Sequence, residues 1–296
     1  MKTALMCRLT MFLALGAACD AAPMPVSYFF VNRSDYVANV APPALAAMVR
    51  DYADAARRAR VDVDITVYGY ASARALVASV DASLLFFWDR VNLTYATASA
   101  RRYATILSNV FRYAVLLARG GVYHDAKMRP GADALRSLVA YLERYDVVLE
   151  ENPRREPGSR NRKFRNTNMA AARPGLAYFN ATLASMAAKL AAAYARRPTA
   201  DESRKVVFHL DSHTAFERVR RDGKHKMLMA YACGDEVPKP NCTDAADVSG
   251  VVDGESWVGR KWRLETAGDI AAAYNAKGHW STAHERIFLD DARPPP

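Results

Sequence analysis

The sequence predicts an α/β domain with a mostly parallel mixed sheet flanked by helices. Two observations predict it. Short apolar and β-branched runs that read as strands alternate with Ala-rich amphipathic stretches that read as helices. The chain, at 296 residues, is also long enough for one large domain with a full core.

Val26–Val31 reads as a buried strand of aromatic and β-branched residues. Pro42 and Pro43 then open an amphipathic helix to about Ala59. Val61–Tyr70 alternates apolar and polar residues, as a second strand does. Helical patterns cover Ala71–Val80, Ala82–Arg90 and Ala98–Ala118, and Gly120-Gly121 stops the last of these. Val122–Asp125 reads as a short strand, Pro130-Gly131 leads into a helix to about Tyr141, and Asp146–Glu150 is another strand. Residues 152–163 are polar, basic and rich in Pro and Gly, and read as a mobile loop. A strand over Asn168–Ala171, a helix over Gly175–Ala195, a strand over Val206–His209 and a helix around Ala215–Arg221 follow. The remainder reads as irregular, with short strands near Trp262–Leu264 and Ile287–Leu289.

Composition narrows the class. A hydrophobic fraction of 51% and a charged fraction of 24% exclude a disordered chain and a membrane bundle. The net charge of +10 favours anionic partners, but the basic residues are scattered and no nucleic-acid motif is present, so nucleic acid is not an expected partner. There is no P-loop, no Gly-x-Gly-x-x-Gly dinucleotide motif and no Gly-x-Ser-x-Gly nucleophile elbow.

The N-terminus has the layout of a secretory signal peptide. Lys2 and Arg8 precede an apolar run from Leu9 to Ala18, which small residues close. The run is far shorter than the ~20 residues that span a bilayer. The expected division is therefore a signal peptide over 1–22, a domain over 23–292 and a frayed tail over 293–296. A short uncleaved signal anchor is the rival reading, and would be the only attachment to a membrane. The secretory pathway, as Golgi lumen or secreted protein, is the expected location. Sequons at Asn32, Asn92, Asn180 and Asn241 agree with N-glycosylation there. So do Cys233 and Cys242, an even pair in the mature chain that reads as a disulfide in an oxidising compartment.

The segment Ser108–Lys127 carries the chemistry. A helix ends in Gly-Gly and a strand begins at once, so Asp125 falls at the strand's carboxyl end, where open α/β sheets bind ligands. Asn109, Arg112 and Tyr113 lie at spacings that share a helix side. An Arg there suits phosphate oxygens. A buried Arg112–Asp125 salt bridge is the alternative reading of the same pair.

The segment resembles the sugar-binding region of glycosyltransferase family 32. The family's pattern is Ser-Asp-x-x-Arg-Tyr followed by Gly-Gly-Val-Tyr-x-Asp-x-Asp. The chain has Ser108-Asn109-Val110-Phe111-Arg112-Tyr113 and Gly120-Gly121-Val122-Tyr123-His124-Asp125-Ala126-Lys127. The motif covers about twenty residues, with looser similarity from Phe86-Phe87-Trp88-Asp89 to about Ala172. The resemblance implies a GT-A type, single Rossmann-like domain. It also implies a retaining transferase that moves a sugar from a UDP- or GDP-sugar to a glycan, glycolipid or glycoprotein acceptor. It would make Arg112 a contact of the donor diphosphate, have Tyr113 and Tyr123 line the donor site, and turn Asp125 to the sugar, the ribose or a metal-bound water. Asn166 and Asn168, in Asn-Thr-Asn-Met-Ala-Ala-Ala-Arg-Pro-Gly, match the family's second donor-site stretch and would bind sugar hydroxyls. Backbone capping at a turn is the other reading of both.

Two departures bear on metal use. Asn109 stands where the family has Asp, and Lys127 replaces the second acid of Asp-x-Asp. That acid would ligate Mn²⁺ or Mg²⁺, with Asp125 beside it. A Lys cannot ligate, but its charge can stand in for a cation, so Asp125, Lys127 and Arg112 form the expected catalytic set with weak or absent metal dependence. A degenerate, non-catalytic member that binds a glycan or nucleotide is the competing reading. Glu150 and Glu151 would meet the acceptor or pair with Arg154 and Arg155. His209, Asp211 and His213 supply a third reading, a metal-dependent hydrolase, since alternate strand residues face one side.

Overall fold

The structure is a computed structural model. It describes residues 22–30, 43–91, 104–126, 128–151, 164–196, 225–233, 249–252, 255–258 and 261–266. The expected signal peptide up to residue 21, the loop 152–163, Lys127, the His209–His213 cluster and Cys242 lie outside the described residues.

The chain is an α/β protein. Its elements begin with β1 (Met24–Phe29), α1 (Pro43–Ala59), β2 (Val63–Tyr68) and α2 (Tyr70–Val80). A 3-10 turn over Ala82–Leu84 leads to the one-turn α3 (Leu85–Trp88), and then come α4 (Ala104–Arg119), β3 (Gly121–Asp125) and β4 (Met128–Pro130). The series continues with α5 (Ala132–Leu142), β5 (Val147–Glu151), β6 (Phe164–Ala171) and α6 (Ala177–Arg196). β7 (Met227–Cys233), β8 (Ser249–Val252), β9 (Glu255–Val258) and β10 (Lys261–Thr266) complete it.

Six strands form a mixed sheet in the order β2-β1-β3-β6-β5-β7, which β10 and β4 extend at the β7 edge. Within the six, β1 is parallel to β2 and β3, and β5 is parallel to β7. β6 is antiparallel to both its neighbours, β3 and β5. Five strands of the six thus run one way and end at one edge, while β6 begins at that edge. β8 and β9 form a separate hairpin.

Helices cover both faces. α1 packs on α5, and α4 packs between α2 and α6. Neighbouring residues of β3 face opposite layers. Tyr123 meets Phe111 of α4 at 6.3 Å between ring centroids, while His124 meets Tyr52 of α1 at 5.7 Å. Buried aromatic side chains dominate the core, among them Phe29, Trp88, Phe111, Tyr113, Tyr178 and Phe179.

Local chemistry explains the boundaries. Pro43 supplies the fixed φ that a first helical residue needs. Arg60, at φ 58°, ends α1 in the left-handed region, and the Val61 amide reaches back to the Ala56 carbonyl. The Gly-Gly pair between α4 and β3 has φ of 66° and 72°. A Cβ on Gly121 would lie 2.1 Å from the Pro25 carbonyl oxygen, and one on Gly120 would lie 2.7 Å from the Arg173 carbonyl carbon. Only glycine lets α4 turn directly into β3 under β1 and the Arg173-Pro174 turn.

Some expectations change. The helix expected over Ala82–Arg90 is a 3-10 turn followed by a single α turn that ends at Trp88. β6 starts four residues before the expected Asn168. The region read as irregular contains β7, β8 and β9, and β10 takes in the expected Trp262–Leu264. No helix among the described residues is long and apolar enough to cross a membrane.

Candidate functional site

At the sheet edge where five strands end, Phe29 of β1 pairs with Asp125 of β3. The start of β6 comes down beside them, and the first half of α4 lies above. This places Ser108, Asn109 and Arg112 of α4, Tyr123 and Asp125 of β3, and Asn166 of β6 together.

Four of these groups close a ring. Tyr123 donates its hydroxyl hydrogen to Asp125 Oδ1 at 2.9 Å. Its oxygen stands 3.1 Å from Ser108 Oγ, so Ser108 must donate to it. Ser108 Oγ in turn accepts from Arg112 Nη2 at 2.7 Å, and that same nitrogen lies 3.3 Å from Asp125 Oδ1. Each hydroxyl donates once and accepts once, which leaves none of the four polar groups unsatisfied. Burial, with the Asp125 charge adding to it, pushes the Tyr123 phenol up, so it stays protonated and remains a donor.

Arg112 does more than close the ring. Its Nε donates to the Ser108 carbonyl at 3.1 Å and its Nη1 to the Asn166 carbonyl at 2.5 Å. Its carbon Cζ stands 5.1 Å from the Tyr123 ring centroid, within cation–π range. Its side chain is only 4% exposed, whereas that of Asp125 is 24% exposed. The guanidinium therefore faces inward, onto Asp125 and β6, and the carboxylate is the charged group that reaches solvent. Oδ1 carries both of Asp125's contacts, which turns Oδ2 outward.

Asn166 donates through Nδ2 to Asn109 Oδ1 at 3.1 Å, joining β6 to α4 beside the ring. The expected Asn109, Arg112, Tyr123, Asp125 and Asn166 are thus assembled in one place. Tyr113 is not with them. It packs edge-on against Tyr178 and at a tilt against Phe179 of α6, with both ring centroids 6.3 Å away, and is fully buried. The apolar face of α4 needs that ring in the core, so Tyr113 is not part of this group. Asn168 is also fully buried, on the opposite face, where its Oδ1 stands 2.8 Å from His124 Nδ1. Glu150 is buried too, bonded to Thr167 and Asn168, and does not face an acceptor.

Ser108 and Thr167 were not anticipated as site residues. The signal for Ser108 is its position four residues before Arg112, the spacing at which helical side chains meet. Of the four sequons, only Asn180 lies among the described residues. Asn180 is exposed on α6, but Thr182 of the same sequon is buried and donates to the Tyr178 carbonyl at 2.8 Å. Cys233 ends β7.

Compared with family models and with curated proteins, the chain matches none.

Proposed function

We propose that the chain is a retaining glycosyltransferase with a GT-A type fold that draws a sugar from a UDP- or GDP-sugar in the secretory pathway. One observation carries this reading. Asp125 stands, partly exposed, at the carboxyl end of a parallel strand with Oδ1 committed to Tyr123 and Arg112, and Arg112 also ties it to Asn166 of β6. A partly exposed carboxylate held by one oxygen suits a hydroxyl of a sugar or ribose. The motif frame from Ser108 to Asp125 supports the same reading.

In the reaction proposed, the acceptor oxygen bonds to the anomeric carbon on the face the diphosphate leaves. The departing phosphate oxygen takes the acceptor's proton. Asp125 and its neighbours orient the donor, which lowers the barrier by positioning. Positive charge for the leaving diphosphate falls to Lys127. A divalent cation fits the described residues poorly, because Asp125 offers one outward oxygen and has Arg112 3.3 Å from the other. Hard cations take several oxygen ligands. No step is routed through a metal.

A second reading, a non-catalytic binder of nucleotides or glycans, is favoured by the inward turn of Arg112. Its donors are engaged by Ser108, Asn166 and Asp125. A thermal-shift and hydrolysis panel of UDP- and GDP-sugars separates the two. Binding with slow donor hydrolysis that survives a chelator supports the transferase. Binding without hydrolysis supports the binder, and no binding at all overturns both.

A further inference from the structure

β6 does not run evenly along β5. Leu149 pairs with Met169, but the next residue, Glu150, pairs with Arg165. Three residues, Asn166–Asn168, therefore bulge between consecutive pairs. Bulges re-aim side chains, and they gather beside functional sites. Here the bulge explains why Asn166 reaches α4 while Asn168 reaches the opposite layer.

Side chains hold the bulge from both layers. On the α4 side, Asn166 gives its carbonyl to Arg112 and its amide to Asn109. On the far side, Glu150 Oε2 accepts from Thr167 Oγ1 at 2.5 Å and from Asn168 Nδ2 at 2.6 Å. The direction of this second network follows from its end. A carboxylate only accepts, so the Asn168 amide must turn its Nδ2 to Glu150 and its Oδ1 to His124. His124 must then carry its proton on Nδ1, which donates at 2.8 Å. That leaves Nε2 as an acceptor for the Tyr52 hydroxyl at 3.5 Å. A chain of donors from α1 through β3 and β6 thus converges on one buried carboxylate.

We propose that Glu150 is a positioning residue for the Arg112–Asp125 group, acting through the Thr167–Asn168 bulge to fix where Asn166 meets Arg112 and Asn109. The proposal does not depend on the ligand. The same carboxylate that satisfies the buried Asn168 also sets the height of Asn166 above the sheet. The Asn166 carbonyl fixes Arg112 Nη1 while Ser108 and Asp125 take Nη2, so a shift of Asn166 moves the guanidinium within its ring.

The test compares Glu150→Ala, Glu150→Gln and Thr167→Val in the full chain. A Gln keeps one oxygen that can accept from both Thr167 and Asn168, whereas Ala removes it. The readout is hydrogen exchange at the Arg112 Nε–H, followed by ¹⁵N NMR alongside the melting temperature, with UDP affinity as a second measurement. Loss of the anchoring bonds is expected to speed Arg112 Nε–H exchange roughly tenfold in Glu150→Ala and to weaken UDP binding by a similar factor. Glu150→Gln is expected to restore both. Should Glu150→Ala not fold, Thr167→Val removes one bond at constant shape and is expected to speed exchange less. Arg112 exchange unchanged in whichever of these variants folds overturns the proposal, as does failure of Gln to rescue a folded Ala variant. Failure of the wild-type chain to bind UDP bears on the proposed function and leaves the Arg112 readout intact.

Discussion

Arg112 Nη2 lies 3.3 Å from Asp125 Oδ1, and that oxygen also accepts the Tyr123 hydroxyl at 2.9 Å. The pair spans a boundary, since the Arg112 side chain is 4% exposed and that of Asp125 is 24% exposed. The salt bridge anticipated as an alternative to a ligand site is therefore part of the candidate site itself. Arg112 neutralises the carboxylate from below and holds it by one oxygen.

Removing Arg112 leaves the carboxylate and three further acceptors short of donors. Breaking a buried pair costs about 3–5 kcal/mol, and water at the exposed side of Asp125 brings Arg112→Ala to the low end. Arg112→Lys keeps the charge, but an ammonium cannot serve Ser108, Asn166 and Asp125 from one plane. Urea denaturation is expected to rank wild type above Lys and Lys above Ala. Equal stability of the Lys variant and wild type would show that charge alone is used.

Tyr123→Phe keeps the ring under the guanidinium and removes only the hydroxyl. The loss of one such bond is worth about 1 kcal/mol of stability. Asp125 then keeps Arg112 as its one partner in the ring and can rotate. Under the proposed function, donor affinity is expected to fall more than stability does, by roughly tenfold, because the outward oxygen loses its fixed direction. Isothermal titration with the best donor from the nucleotide-sugar panel checks this against the denaturation curve.

Gly121→Ala is expected to prevent folding or to cost several kcal/mol, because its Cβ would sit 2.1 Å from the Pro25 carbonyl oxygen at a φ of 72°. That oxygen is backbone of a central strand and cannot move aside. Gly131→Ala is the control, since nothing lies within 4 Å of its Cβ. It is expected to stay within about 1 kcal/mol of wild type, the range of a helix-cap change. Circular dichroism and thermal melts of the two variants separate steric need from general glycine loss.

That contrast shows what was legible in the sequence. Gly120-Gly121 follows an amphipathic stretch and precedes an apolar run, so helix, stop and strand could be read within twenty residues, and Asp125 fell at the strand's end. Those signals are local. The direction of Tyr113 is not, because helical spacing groups it with Asn109 and Arg112 and only the presence of α6 decides which face is core. Nor is the bulge at Asn166–Asn168, which exists only as a register against β5, some twenty residues away in sequence. β7 went unread for a related reason. Met-Leu-Met-Ala-Tyr-Ala-Cys has weak intrinsic strand preference, and its place between β5 and β10 makes it a strand. The alternation of an α/β domain was within reach of periodicity, while the sixth strand and the site's inward wiring depended on contacts between distant segments.

His124 makes that wiring measurable through pH. It is buried, and loss of hydration lowers its pKa from 6.5 to about 4, against the smaller opposing effect of its bond to Asn168. Above pH 6.5 the imidazole is neutral in both folded and unfolded chains and has no effect on the balance between them. As pH falls through 6.5 the unfolded chain takes up a proton that the folded chain refuses, so stability is lost down to about pH 4, where the folded form protonates as well. A proton on Nε2 would set a charge against the Tyr52 hydroxyl hydrogen, which burial keeps in place by pushing that phenol up. The lost stability approaches about 1.4 kcal/mol per pH unit within that window, roughly 3 kcal/mol in all. Asp and Glu side chains add their own acid dependence, so the comparison is with His124→Gln, which offers an amide in place of Nδ1–H. The difference between the two stability curves is expected to be flat above pH 7 and to slope below 6.5 in favour of the variant. Parallel curves would mean that the folded chain takes up this proton as readily as the unfolded one, and burial of His124 would then carry no penalty for its charged form.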